Sequence, residues 1–466
     1  MRLTGMVFGW LILWVVAGGA ALAAQQISEK QDLSLFKLNY YGAPVYQPQN
    51  VKITAHYGNS SVTVELKGSG KIDVDGLFQQ TIGAVDGAIQ KVFVDLGRFN
   101  IISMPQRLTS DDVGSFIQAI KDFKEKTLVI PDAVSFGTQA FTEADFNRLT
   151  GSFIIVIPSV TFYDVVYVDK KKDQHYQANV SVAFSFVDAK NNKQLAQVNL
   201  DLAGSDPDSA ASALKSAVDS MGSQLTFEIR KIQAFQIASG ITQILRGDVV
   251  LEFGKNMGLQ IGDEYNITRP EQIGGYAEET PTGLLIIKEV REKVSIAQVI
   301  YADPAPQIGD QLREAPRIGV DLSLYGSGMF NFPFDFSGVA LGVRATPSRG
   351  FFALRPIVDI GVVLGSGVSI GPNGEFPLSG MIGAEYNLYL GRFKIAPNVL
   401  VGGILLIPGN QNQNTRFGGL RVQADLKLSV LVTDTMEIFA EGGYCLLFAG
   451  AGTFNGIVIS AGVTFK

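Results

Sequence analysis

The sequence predicts an α+β domain, a small β-barrel and a C-terminal eight-stranded antiparallel transmembrane β-barrel, in that order. Three observations point there. Over residues 317–466, eight consecutive segments alternate apolar side chains with small, polar or charged ones, and no helical stretch separates them. Between residues 51 and 232 helical and strand periods are mixed, and between 235 and 316 short strands follow one another with turns.

At 466 residues the chain exceeds one ordinary domain, and the changes of pattern divide it into 1–23, 24–233, 234–316 and 317–466. The first 23 residues carry one charge, Arg2, an apolar run over 7–16 and the small-residue end Ala21-Leu22-Ala23. This is the pattern of a secretory signal peptide, removed rather than folded. No cysteine stands at the end of this leader, so lipid attachment through an N-terminal cysteine is not expected. Loss of Arg2 takes the formal net charge from −6 to −7, which leaves no basic domain for nucleic acid. Cys445 is the only cysteine, so export brings no intramolecular disulfide. Both tryptophans, Trp10 and Trp14, fall in the leader, so aromatics at a membrane interface must be Phe and Tyr. No later segment offers the ~18 consecutive apolar residues of a spanning helix, so a membrane crossing would use strands.

Residues 24–45 show no clear period and read as a mobile lead-in. Val51, Ile53, Ala55 and Tyr57, then Gly58-Asn59-Ser60-Ser61, then Val62, Val64 and Leu66 read as a hairpin. A helix follows with Leu77, Phe78, Ile82, Val85 and Ile89 on one face, leading into the apolar segment Val92-Phe93-Val94. After a short strand over 99–102, Thr109 opens a helix with Asp112 three places on, and its buried face is Val113, Phe116, Ile117, Ile120 and Phe123. The run 153–168 is apolar with little alternation, as in a strand covered on both faces. It is answered by 178–187 after a charged turn, and a strand over 195–202 follows. Asp206-Pro207 supplies a cap and a first-turn proline for a helix striped by Leu214, Val218, Met221, Leu225 and Ile229. About five strands, each near a turn such as Gly247-Asp248, Gly262-Asp263 or Gly309-Asp310, make the small barrel.

The terminal strands are placed at 317–329, 336–346, 352–364, 378–390, 393–405, 417–431, 435–448 and 456–465, each long enough for a tilted crossing. Counting by two from the apolar rows puts Asp321, Arg344, Arg355, Asp359, Glu385, Asn387, Lys394, Arg421, Asp425, Lys427, Glu437 and Glu441 inside. Facing lipid, each Arg or Lys would cost ~2–4 kcal/mol at mid-bilayer; inside, near-balanced acids and bases form a lumen charge network. A soluble sandwich also alternates, but its outer face is wet and would be polar, whereas here the face opposite the charges carries almost none. Eight strands leave room only for their own side chains, so a plugged anchor is expected rather than a pore. Short links at 347–350, 391–392 and 433–434 should face the periplasm, and longer ones at 329–336, 365–377 and 408–416 the outside.

The chemistry-bearing residues are sparse. His56 and His175 both precede the terminal barrel, which excludes barrel proteases and acyl transferases that use a histidine base. One cysteine and two distant histidines make no transition-metal cluster. Glu437 with Glu441, or Asp321 with Asp359, could be paired carboxylates for acid/base work, but interleaved bases make salt-bridged lumen filling the better account. The stretch 254–262 carries glycines without a Lys-Ser/Thr pair, so it is no phosphate loop; Lys170-Lys171-Lys172 reads as a solvated turn. Cys445 counts inward as a small packing residue. No catalytic residue, cofactor or metal is expected.

Two family resemblances add to this. Gly97-Arg98-Phe99-Asn100-Ile101-Ile102 after its helix, and Val180-Ser181-Val182-Ala183-Phe184-Ser185-Phe186-Val187-Asp188-Ala189-Lys190-Asn191-Asn192-Lys193, make residues 76–232 resemble the CsgG-like periplasmic domains of curli secretion. Gly254-Lys255-Asn256-Met257-Gly258-Leu259-Gln260-Ile261-Gly262-Asp263 makes residues 235–316 similar to the small, SH3-like barrel of flagellar assembly protein T. The resemblance implies non-catalytic, often ring-forming domains of secretion, appendage assembly or envelope scaffolding. The family's secretion channel is anchored through an N-terminal cysteine and built from hairpins of many subunits. Here a dedicated barrel takes the membrane role, and the hairpin 153–187 reads as core rather than spanning strands. The last strand, with Val463 and Phe465, resembles the C-terminal signal read by outer-membrane insertion machinery, although Lys466 follows the aromatic.

The expectation is a non-enzymatic outer-membrane protein whose barrel anchors a periplasmic scaffold or assembly domain. Its partners would be outer-membrane lipid, the insertion machinery, and periplasmic proteins or further copies of itself. Two alternatives stay open: an oligomeric secretion channel made by rings of the CsgG-like domain, and a surface protein binding ligands through loops such as Phe330-Asn331-Phe332-Pro333-Phe334.

Overall fold

The computed structural model describes residues 29–40, 51–57, 60–66, 74–108, 112–126, 133–136, 139–170, 173–191, 193–331, 335–365, 376–408, 415–449 and 452–466. The leader, Thr109, Lys171, Lys172 and the tips of the three longer barrel loops lie outside these residues.

The first region comprises β1 (Gln31–Phe36), the hairpin β2 (Val51–Tyr57) and β3 (Ser60–Leu66), α1 (Val74–Leu96), β4 (Phe99–Met104), α2 (Asp112–Lys124), β5 (Val134–Phe136), β6 (Gln139–Phe141), α3 (Glu143–Gly151), β7 (Ile154–Lys170), β8 (Asp173–Asp188), β9 (Lys193–Asp206) and α4 (Ala210–Lys231). Five strands form one sheet in the order β4-β1-β7-β8-β9, with β1 parallel to both neighbours. Successive strand residues point to opposite faces. Leu33, Leu35, Ile154 and Val156 therefore meet α1 and α4 on one side, and Phe36, Ile155 and Ile157 meet α2 and α3 on the other.

Several expectations change here. The lead-in contains β1, which pairs with β4 and β7; its burial on both faces holds it in place without a clear period. Val92-Phe93-Val94 continues α1, because Val92 and Phe93 extend the buried stripe of Phe78, Val85 and Ile89. The two-sided cover of β7 is confined to residues 154–159; further out Phe162 is 54% exposed while Tyr163 and Val165 stay buried. Asp206 ends β9 instead of capping a helix, and its carboxylate accepts from the backbone of Asp208 and Ser209 at 2.9 and 2.7 Å. Ser209 is the cap of α4. The sequence reading missed α3, although Thr142 and Asp145 form a capping box there.

The small barrel is closed by six strands rather than five: β10 (Ala238–Leu245), β11 (Asp248–Leu251), β12 (Glu264–Ile273), β13 (Tyr276–Val290), β14 (Ser295–Ala302) and β15 (Gln311–Ala315), in the order β10-β11-β14-β13-β12-β15. The overlooked strand, β10, closes the ring against β15 and carries four exposed residues at its end, so its alternation is weak. Its core is continuous with that of the first domain, from Leu225 and Ile229 through Phe235 and Ile237 to Ile241, Val249 and Leu285.

The large barrel contains β16 (Val320–Asn331), β17 (Asp335–Pro347), β18 (Leu354–Gly365), β19 (Phe376–Tyr386), β20 (Leu388–Leu390), β21 (Phe393–Ile407), β22 (Arg416–Thr433), β23 (Met436–Ala449) and β24 (Gly452–Phe465). Pairing of β16 with β24 and of β19 with β21 closes it, all antiparallel. The wall has eight staves, since β19 and β20 are one stave interrupted at Asn387, whose backbone N–H donates to Ala353 O.

Candidate functional site

The strand period of two sorts the large barrel's side chains. Asp321, Arg344, Arg355, Asp359, Glu385, Asn387, Lys394, Arg421, Asp425, Lys427, Glu437 and Glu441 all lie inside and are buried. Arg344 joins three strands: Nε donates to Asp359 at 3.1 Å and Nη1 to Glu441 at 3.0 Å. The Tyr325 hydroxyl donates to the same Asp359 at 2.8 Å. Arg355 donates to Asp321 and to the Tyr389 hydroxyl, both at 2.8 Å. Lys394 pairs with Glu437 at 2.6 Å. Both carboxylate pairs singled out in the sequence are thus divided among different cations.

The remaining charges are held differently. Arg421 donates to Gln423 at 2.5 Å, and Gln423 in turn donates to Asp425 at 2.7 Å. The Lys427 ammonium lies 4.4 Å from the centre of the Phe439 ring, and Glu385 accepts from Asn387 at 3.1 Å. Towards the long-loop end the filling turns apolar, with Met329, Val363, Ile404, Cys445, Leu447 and Val458 in one cluster.

The outer face is the reverse. Leu324, Leu341, Ile360, Ile382, Val399, Leu428, Ile438 and Ile459, one from each stave, are exposed. Among the described residues the only ionisable Asp, Glu, Lys or Arg pointing outward from a strand are Asp335 and Arg416, both at the long-loop end. Phe336, Phe376, Phe417 and Phe448 ring that end; Tyr386, Phe393 and Phe465 ring the other. Phe376 and Tyr386 share β19, and strand rise and tilt put such residues about 25 Å apart along the barrel axis. Phe465 is exposed and Val463 half-buried on β24, opposite Leu322 and Leu324 at the closing seam.

The short-turn end is covered by the small barrel. Leu284, Ile286 and Ile300 pack with Leu431, and Tyr301, Phe352 and Tyr389 border them. The Tyr301 hydroxyl donates to Asp434 at 2.5 Å and its ring lies 3.6 Å under the Arg392 guanidinium. Burial, reinforced by Asp434, pushes the Tyr301 phenol up to about 12. Arg317 donates to Glu264 at 2.9 Å, and Lys466 pairs with the other oxygen of that carboxylate. The lysine that departs from the insertion pattern is therefore a fastener.

A second cluster joins all three regions. Arg98 holds Glu314 with both terminal nitrogens, at 2.8 and 3.2 Å, and the Phe235 carbonyl at 2.8 Å. Arg230 donates to Glu314 at 2.5 Å and to Asp263 at 2.9 Å, and Arg349 reaches Asp263 at 3.0 Å. Burial pushes the Glu314 carboxyl up, but Arg98 and Arg230 outweigh it and bring it down to about 2. Burial lowers the Arg230 guanidinium, and Glu314 and Asp263 overcome that and raise it.

The stretch 254–262 supplies the close approaches. A Cβ on Gly258, at φ 78°, would lie 1.9 Å from Leu96 O, and one on Gly262, at φ 84°, 2.0 Å from Ser348 O. These two glycines let the loop touch the α1 end and the β17–β18 turn at backbone distance. Sequence reasoning missed the junction, because every partner is remote in the chain; the recurrence of glycine at 254, 258 and 262 was the one available signal.

No family model and no curated protein matches the chain. Among solved structures it is similar to Neisserial surface protein A, at 15% identity over 32% of this chain and 95% of that one, with a TM-score of 0.24. It is also similar to the N-terminal β-barrel domain of Pseudomonas aeruginosa OprF, at 11% identity over 31% and 95%, with a TM-score of 0.22. A major outer membrane protein from Thermus thermophilus aligns at 12% identity over 31% and 98%, with a TM-score of 0.18.

Proposed function

We propose that residues 317–466 are an outer-membrane anchor that holds the two preceding domains at its periplasmic end. The observation that carries this reading is the exposed apolar belt on all eight staves of a closed barrel, about the height of a hydrocarbon layer and bordered by aromatics. Ion pairs fill the lumen, an apolar cluster closes one end, and the small barrel covers the other. That arrangement favours a plug over a pore.

The preceding domains would serve envelope or appendage assembly as a CsgG-like scaffold with an SH3-like barrel, without enzymatic activity. The support is the motif at residues 97–102, which follows α1 through a turn at Gly97, and the turn residues 189–191 after β8. Val463 and Phe465 at the seam would be read by the insertion machinery, and periplasmic proteins or further copies would be the partners.

The test is membrane fractionation of the full-length protein. Retention after urea and carbonate washing, heat-modifiable migration, no conductance steps in a planar bilayer, and single copies in detergent are expected. Release by urea as a detergent-free monomer would overturn the anchor, and ring-shaped particles would favour the secretion channel.

A further inference from the structure

A cavity of about 400 Å³ lies between α1, α4 and the entrance to the large barrel. Three guanidinium side chains, Arg230, Arg317 and Arg349, line it together with Lys91. Its acids are Asp95 and Asp219, and each has its own exposed lysine, Lys91 and Lys215, one helical turn away. Arg230 has two carboxylates and Arg317 has one plus the Asp434 carbonyl.

Arg349 differs. Its Nε is on Asp263, but Nη2 is enclosed and has no hydrogen-bond partner among the described residues. A charged donor held in that state is costly, and an acceptor brought from outside relieves it. The side chain lines the cavity and keeps 19% of its surface open, so an entering oxyanion meets the guanidinium there and engages the enclosed nitrogen only if the group turns. The rim fixes where that oxyanion comes from. Ile318, which lines the cavity and is 62% exposed, stands two residues before Val320, the first residue of the apolar belt. The opening therefore lies at headgroup level of the leaflet on the short-turn side.

We infer that this cavity binds the phosphate of an anionic phospholipid from that leaflet, with Arg349 as the principal donor and its neighbouring guanidiniums supplying the field. A planar guanidinium fork suits a phosphate oxygen pair, and a cavity of this size takes a headgroup but not a whole lipid. The lipid source rests on the membrane reading above; the phosphate chemistry does not.

Native mass spectrometry of the full-length protein in non-ionic detergent tests it, with phosphatidylglycerol, phosphatidylcholine or inorganic phosphate supplied. Retention of phosphatidylglycerol over phosphatidylcholine is expected, with about a tenfold loss in Arg349→Gln, the size expected for removing a charge-assisted fork. Gly222→Leu should give a similar loss without touching an ion pair, since a Cβ there meets only Val92 Cγ2, at 4.0 Å, and the larger side chain fills the cavity. That second variant keeps the test decisive if Arg349→Gln loosens the junction. Equal retention of the two lipids, unchanged retention in folded Gly222→Leu, or binding of inorganic phosphate alone would overturn the proposal. Protein that stays soluble and enters no micelle would sink the membrane reading and the lipid source with it. Protein that inserts but shows no lipid preference would sink this proposal alone.

Discussion

Arg349 donates to Asp263 Oδ1 at 3.0 Å, on the same oxygen that Arg230 holds at 2.9 Å. One carboxylate oxygen therefore joins α4, the small barrel and the first short turn of the large barrel. The coupling is rigid because its members are mostly buried and the loop behind Asp263 is locked by two glycine contacts.

Asp263→Asn should loosen this joint without dissolving the large barrel. Removing one partner of a buried pair costs about 3–5 kcal/mol, because the other charges stay buried. The expected outcome is faster proteolysis around residues 316–319 with heat-modifiable migration retained. Unchanged cleavage would show that the apolar cluster around Leu431, with the Tyr301–Asp434 and Glu264 contacts, holds the domains together without Asp263.

Glu314 gives the preceding domains an acid limit. Its carboxyl lies at about 2 in the folded chain against an ordinary 4.5. A depressed carboxyl contributes stability that is present above the ordinary value and is lost as pH falls through the folded one. The thermal stability of these domains should therefore fall between pH 4.5 and 2, by about 3 kcal/mol from this group. Glu314→Gln should start less stable at neutral pH and show a flatter slope in that window.

The same substitution at two exposed apolar positions separates lipid from water. Leu341, at mid-stave, is 65% exposed and Val94, on α1, is 56% exposed. Leu341→Arg should cost about 2–4 kcal/mol in a bilayer, read as a lower urea midpoint or failed insertion. Val94→Arg should stay within about 0.5 kcal/mol, as surface substitutions do. Equal effects would contradict the belt.

Arg344 is the keystone of the lumen, since Asp359 and Glu441 both depend on it. Arg344→Met should destabilise the barrel by about 3–5 kcal/mol, because two acids remain buried without it. Adding Asp359→Asn and Glu441→Gln should recover part of that loss, measured by the temperature at which compact migration disappears.

The sequence by itself determined the large barrel's two faces. An apolar outer face and packed charges inside impose a period of two, so the rows Leu354, Val358, Ile360 and Arg355, Asp359 separate by counting. It also determined the α4 stripe, since Leu214, Val218, Met221, Leu225 and Ile229 recur at the helical period. Local competition blurred the edges: Asp206 turns the backbone where a cap was expected, and Ser209 does the capping. Only the tertiary structure decided the placement of β1, the sixth strand of the small barrel, and the junction. Arg98 with Glu314, Asp263 with Arg349 and Glu264 with Lys466 are remote pairs, and such ion pairs leave no period in a chain. They arise when apolar burial has folded each domain and brought its polar ends together, where burial then makes every charge require a partner.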